Sequence, residues 1–188
     1  MPGNKVKFGL KNVHYAVLTE GAGVTPDTYT TPAPWPGAVN MTLSAVGDRT
    51  PFIADDSEYY TSVGNNGYDG TLECAELPES FAKDVLGEIE DDNKVLFEKN
   101  TVEPVPIALL FEFTGDAHQI KHVFYKCIVT RPNIDGTATT NKEVKTNTLN
   151  IQARPNRAGY VKAKTKSDTL STASAAWYTT VQVFTEGA

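Results

Sequence analysis

The sequence predicts a mainly β protein of the α+β kind: a β-sandwich or partly open barrel with one packed helix and one long loop. Three observations carry that expectation. Residues 105–113 and 120–129 are the two longest apolar runs, rich in β-branched and aromatic side chains, and the polar break between them holds Gly115-Asp116, so they form a central β-hairpin. Residues 38–45 and 149–154 alternate apolar and polar side chains, as strands with one buried face do. Helical spacing is strong only in residues 78–89. The central hairpin departs from strict alternation at Leu109-Leu110, Phe124-Tyr125 and Ile128-Val129. A strand covered on both faces reads that way. One face therefore meets the domain's own core, and the other meets a helix, a second sheet or another subunit.

Length and composition set the limits. A chain of 188 residues suits a single domain, 1–188, able to bury a substantial core. Two cysteines, Cys74 and Cys127, are too few for a disulfide framework and read as buried, reduced thiols. The N-terminal stretch lacks the apolar centre of a signal peptide, and no apolar run approaches the roughly 20 residues that span a bilayer. A formal net charge of -6 argues against a duplex-binding protein, which needs a basic footprint.

Taken in order, a basic lead-in at residues 4–7 precedes a strand at 13–19. The run Lys5-Val6-Lys7-Phe8-Gly9-Leu10-Lys11-Asn12-Val13-His14-Tyr15-Ala16 resembles the N-terminus of major tail proteins, the tail-tube subunits of phages of Gram-positive bacteria with long non-contractile tails. Length and element order agree with that family over most of the chain. Pro26, Pro32, Pro34 and Pro36 exclude a helix from residues 21–36, which form an extended connection. In the next strand Val39, Met41, Leu43 and Ala45 share one face and Asn40, Thr42 and Ser44 the other. Residues 47–70 are the long loop, with a brief strand signal at 59–63 and a type I′ turn signal at Asn66-Gly67. Its aromatics, Phe52, Tyr59, Tyr60 and Tyr68, exceed what a disordered linker needs, so it reads as an element that orders against a neighbouring subunit.

A short strand at 71–77 leads to the helix at 78–89, with Pro78 in the first turn, Glu79 complementing the dipole, and Phe81, Val85, Leu86 and Ile89 on one face. An acidic turn and a strand at 95–98 lead into the central hairpin. Residues 132–136 make a turn, a Thr-rich connection follows, and strands are expected at 146–154, 160–166 and 177–184, with a helical turn at 171–176. Lys162, Lys164 and Lys166 share one side of their strand and extend a basic stripe with Arg154 and Arg157, suited to the acidic loops of a neighbour. The candidate inter-subunit contacts are thus Arg49, Phe52, Asp55, Asp56, Tyr59, Tyr60, Tyr68, Lys162, Lys164 and Lys166.

Catalytic chemistry is not signalled. His118 and His122 straddle a turn and a strand, where four residues span about 13 Å, too far for one metal. His14 reads as a structural strand residue, and no Gly-x-Ser-x-Gly, His-Glu-x-x-His, Walker or dinucleotide pattern is present. Asp55-Asp56-Ser57-Glu58 and Glu90-Asp91-Asp92 read as solvated loops, and neither has EF-hand spacing. No catalytic, metal or cofactor residue is therefore assigned, and the chain is expected not to be an enzyme.

The tail-tube resemblance implies more than the residues do. It implies two sheets and a packed helix in each subunit, hexameric rings whose inner wall is a continuous β-barrel, and rings stacked into a tube with residues 47–70 reaching the next ring. It implies a structural virion protein assembled in the host bacterial cytoplasm around a tape-measure protein, with tail terminator and baseplate or distal tail proteins as partners. It also implies a channel through which DNA passes without specific binding, for which an acidic lumen, with Asp55, Asp56 and Glu58 as one acidic group, is suited. No immunoglobulin-like decorating domain is expected at the C-terminus. Two other classes remain. A carbohydrate-binding β-sandwich would use exposed Trp35, Trp177 or Tyr68 as its platform, and a two-carboxylate enzyme would use Asp55 and Asp56.

Overall fold

The computed structural model describes residues 8–23, 25–116, 118–134 and 145–185. The basic lead-in at 4–7 and the Thr-rich connection at 135–144 lie outside the described residues, as does the end of the turn at 132–136. Among the described residues thirteen strands and two short α-helices follow one another. They are β1 Leu10–Thr19, β2 Thr28–Tyr29, β3 Ala33–Pro34, β4 Ala38–Val46, β5 Arg49–Ala54, β6 Ser57–Val63, β7 Gly67–Cys74, α1 Glu79–Asp84, β8 Ile89–Glu90, β9 Leu96–Phe97, β10 Ile107–Phe113, β11 Lys121–Val129, β12 Asn147–Arg154, β13 Lys162–Lys164 and α2 Ser171–Ala175. The fold is mainly β, as the alternating segments require, and is of the β-sandwich class.

One antiparallel sheet runs in the order β2-β1-β10-β11-β12-β7-β4, with β3 also on β1 and β13 also on β11. It curls until β4 comes up against β1, but no ladder joins these two strands, so the barrel stays open. The concave side holds the larger core, with Tyr15, Leu72, Ile107, Leu109, Leu149 and Ile151 fully buried. Trp35 and Phe81 fill its centre, their rings 4.2 Å apart, and α1 covers one end through Phe81, Val85 and Leu86. The convex side carries a second cluster, in which Ala16, Ala108, Leu110, Val123 and Tyr125 are covered by Trp177 and Val181. The central hairpin is therefore buried on both faces. Its second cover is neither sheet nor subunit but the chain's own C-terminal segment.

Bulges explain the broken alternation. Ile107 faces Cys127 and Leu109 faces Phe124, so β11 places three residue steps opposite two, and Phe124 and Cys127 both reach the concave core. A second extra residue sits near Asn12, at φ 51°, between the Lys11 and His14 pairings of β1. The polar break closes as expected, with the Asp116 carboxylate accepting the His118 and Ile120 N–H groups at 3.0 and 3.4 Å.

Several expectations are corrected. In β4 the register shifts between Ala38 and Asn40, so Val39 turns outward and is half exposed, and Ala45 is exposed as well. The helix is six residues long rather than spanning 78–89, because Gly87 adopts φ 72° and ends the coil. Ile89 then joins β8, which pairs only with β9. The strand expected at 95–98 thus closes a small separate ribbon instead of leading into the central hairpin. The last strand, 177–184, is absent. Ala176–Tyr178 is a 3-10 turn, and the described residues after it join no ladder. Trp177 and Val181, four apart, pack on the convex face because α2 delivers them there as a strap across the strands. Three side-chain bonds to backbone oxygens fix the strap: Lys121 Nζ to Ser174 at 2.6 Å, Tyr125 Oη to Gln182 at 2.7 Å, and Trp177 Nε1 to the His122 carbonyl at 3.4 Å.

Candidate functional site

The long loop is an antiparallel arm. β5 and β6 pair from Arg49↔Val63 to Ala54↔Ser57, and the chain reverses at Asp55 and Asp56, whose φ values of 52° and 56° are those of a type I′ turn. The reversal is therefore not at Asn66-Gly67, where the chain enters β7. Asp tolerates the left-handed region better than most side chains, because its short carboxylate bonds locally. The arm continues β4 and β7 rather than folding back on them. Gly64 N–H donates to the Asp48 carbonyl at 2.9 Å and Asn66 N–H to the Val46 carbonyl at 2.8 Å, so main-chain bonds cross the junction. Gly47 is needed there, since a Cβ would lie 2.0 Å from the Gly64 carbonyl oxygen.

The arm's two faces differ. Cross-strand partners share a face, so Phe52 and Tyr60 lie together with Thr50 and Ser62 on one uncharged side. The opposite side carries Arg49, Glu58 and Thr61. Arg49 Nη2 donates to Glu58 at 2.7 Å, Thr61 Oγ1 also donates to Glu58, and these two donors hold the Glu58 carboxyl below its ordinary range, with the hydroxyl contributing most. The register slips between Phe52 and Ile53, which leaves Tyr59 as the extra residue of β6. Phe52 is 60% exposed, Tyr60 64% and Tyr59 76%, and Ile53 and Val63 are exposed too. Covering one such side chain contributes about 1.5–3 kcal/mol, and an isolated two-stranded hairpin is marginal in water.

Of the ten residues named from the sequence, Arg49, Phe52, Asp55, Asp56, Tyr59 and Tyr60 are on this arm. Tyr68 is not: it belongs to β7, half buried, with its ring 5.2 Å from Phe124. Lys162 sits 4.3 Å over the Tyr68 ring and bonds its hydroxyl, so these two form a second locus with Lys164. The basic stripe is not continuous. Lys166 lies beyond β13 and pairs with Asp168 at 3.3 Å, and Arg154 pairs with Asp69. Arg157 donates its guanidinium to the Gly21 and Gly23 carbonyls while its N–H meets Asp27, which staples these three residues to the loop before β13.

Tyr68 and Lys162 also line a cleft of about 260 Å³ at the end of the barrel that α1 does not cover, together with Met41, Leu43, Phe113 and Phe124. Sequence reasoning missed this mouth, because its walls come from five strands distant in the chain. It missed Ile53 and Val63 as well, since the only strand signal in this stretch was the brief one at 59–63.

Of the three aromatics that a carbohydrate-binding platform would use, Trp35 is 1% and Trp177 4% exposed, whereas Tyr68 is half buried at the cleft. Cys74 and Cys127 are free and buried, and burial pushes the Cys127 thiol up to about 12. His14 lies in β1 with Nδ1 2.9 Å from the Asn12 carbonyl oxygen. No described helix is long and apolar enough to cross a membrane. Comparison of the chain with protein-family models and with curated proteins gives no match.

Proposed function

We propose that this protein is a structural subunit of a phage tail tube. In this reading hexameric rings stack around a tape-measure protein, bounded by terminator and baseplate or distal tail proteins, and form the channel for genome ejection in a virion assembled in the host bacterial cytoplasm. The observation that carries it is the arm: a hairpin continued from β4 and β7 by main-chain bonds, whose uncharged face has no cover among the described residues. Such a surface is retained where another molecule completes it. The open sheet supports the same reading, since among the described residues β4 presents an unpaired backbone edge of the kind natural proteins hide by closure or association. An arm far from the surface it meets gives a heterologous contact, which propagates a ring or filament instead of stopping at a dimer. The net charge of -6 suits a lumen that repels phosphate.

Negative-stain electron microscopy of the purified protein across a concentration series tests this. Hollow rings or tubes appearing with concentration are the expected result. Isolated particles at every concentration, persisting after addition of tape-measure and initiator proteins, would overturn it.

A further inference from the structure

Resting on the self-assembly reading, we infer that the socket for the arm is the aromatic mouth of the barrel in a second copy of this chain. The Phe52/Tyr60 face of β5–β6 seats against Met41, Leu43, Tyr68, Phe113 and Phe124, with Asp55 and Asp56 reaching Lys162 and Lys164 at the rim.

The arm's continuity with the β4/β7 ladder argues against its own mouth as the socket. Main-chain bonds from Gly64 to Asp48 and from Asn66 to Val46 carry the β4/β7 ladder into the arm, and at about 3.3 Å per residue its strands project roughly 20 Å from the body. Folding back would break those bonds, so the exposed face is answered in trans. The mouth is shaped for an apolar guest. One barrel end is filled by Phe81, Val85 and Leu86 of α1, whereas the other ends in half-buried Met41, Leu43, Tyr68 and Phe113 around a cleft of about 260 Å³. That volume suits one or two aromatic side chains of a hairpin and is too small for a folded domain.

Charge selects between possible guests. The protein is acidic overall, yet Lys162 and Lys164 stand together on β13 at this rim, with Lys162 lining the cleft itself. The arm's tip is the complementary feature: two consecutive aspartates at an exposed turn, with the single basic residue of the arm, Arg49, engaged by Glu58 at the base. Opposite charges at tip and rim fix orientation and suppress competing seats. Because arm and mouth are different surfaces of the same chain, each copy offers one of each and the contact repeats head to tail.

The chain has two methionines, Met1 and Met41, and this permits a sharp test. Benzoylphenylalanine, which reacts preferentially with methionine, is placed at Tyr60 in otherwise unaltered full-length protein. That protein is mixed with isotope-labelled wild type under assembly conditions, irradiated and mapped by mass spectrometry. The expected result is an intermolecular crosslink to Met41 or to Phe113 or Phe124. Its yield should fall at least about fivefold in K162E/K164E protein, as expected for loss of two steering charges, while that variant's thermal melt stays unchanged. Intermolecular crosslinks that map elsewhere on the second copy would overturn the socket while leaving self-assembly standing. Polymers without such crosslinks would do the same, and absence of both polymers and intermolecular crosslinks would overturn socket and assembly reading together.

Discussion

Two β-hairpins of this chain draw on similar residues and meet opposite fates. The central pair β10–β11 and the arm β5–β6 both mix β-branched and aromatic side chains, and each connection contains aspartate. In the first, Leu109 and Leu110 are both fully buried although they point to opposite faces, because α1 and the concave core cover one side and the C-terminal strap covers the other. In the second, Phe52 and Tyr60 remain mostly exposed. Apolar content alone does not make a core. What matters is whether the chain supplies a cover, and for the arm the described residues supply none.

The largest expected effects fall on the covered hairpin. Leu109→Ala opens a void in the concave core and should lower unfolding free energy by about 2–5 kcal/mol, read as a shifted denaturant midpoint. A loss below about 1 kcal/mol would mean that the central pair is not the packed centre. A smaller effect is electrostatic. Burial raises the Cys127 thiol to about 12 in the folded protein, above its unfolded value near 9, so the unfolded state loses the proton first. Stability is then flat below pH 9 and falls as pH rises toward 12, by about 1 kcal/mol between pH 8 and pH 10. A Cys127→Val variant should show a shallower slope over that window, and an identical slope would contradict the assignment.

Changes on the arm should leave the body almost untouched. Arg49→Ala removes an exposed ion pair with Glu58, and such pairs add little to global stability, so the arm's amides should exchange faster while the global melt stays put. Smallest in stability and largest in assembly is Phe52→Ser with Tyr60→Ser. The free subunit should unfold within about 0.5 kcal/mol of wild type, yet polymers should not form. Normal polymers from that variant would separate the arm from assembly.

Much of this contrast was legible in the sequence. The doublets at 109–110 and 124–125 announced a hairpin covered twice, although Ile128 of the doublet 128–129 is 38% exposed, and Leu149, Ile151 and Ala153 alternate in the structure as they do in the chain. Less legible was what requires tertiary context. Trp177-Tyr178 through Phe184 has strand-like composition, but α2 brings it onto an occupied sheet face with no free edge to pair, so it crosses as a strap. Helical spacing ran on to Ile89 because periodicity ignores Gly87, whose left-handed conformation ends α1 early. The arm's reversal was placed at Asn66-Gly67, the stronger local signal, whereas the pairing of 49–54 with 57–63 puts it at Asp55-Asp56. The mouth was invisible because Met41, Tyr68, Phe113, Phe124 and Lys162 converge only once the sheet has curled.

Hydrogen exchange on the same sample, dilute and then concentrated, tests the difference between the two hairpins most directly. In dilute protein the arm's amides, residues 49–63, should exchange with little protection, while those of β10 and β11 show protection close to the global unfolding free energy. On concentration into polymers the arm should gain protection and the central pair should not change. Strong protection of the arm in dilute monomer, or none in the polymer, would contradict the claim that this hairpin is completed only by a second subunit.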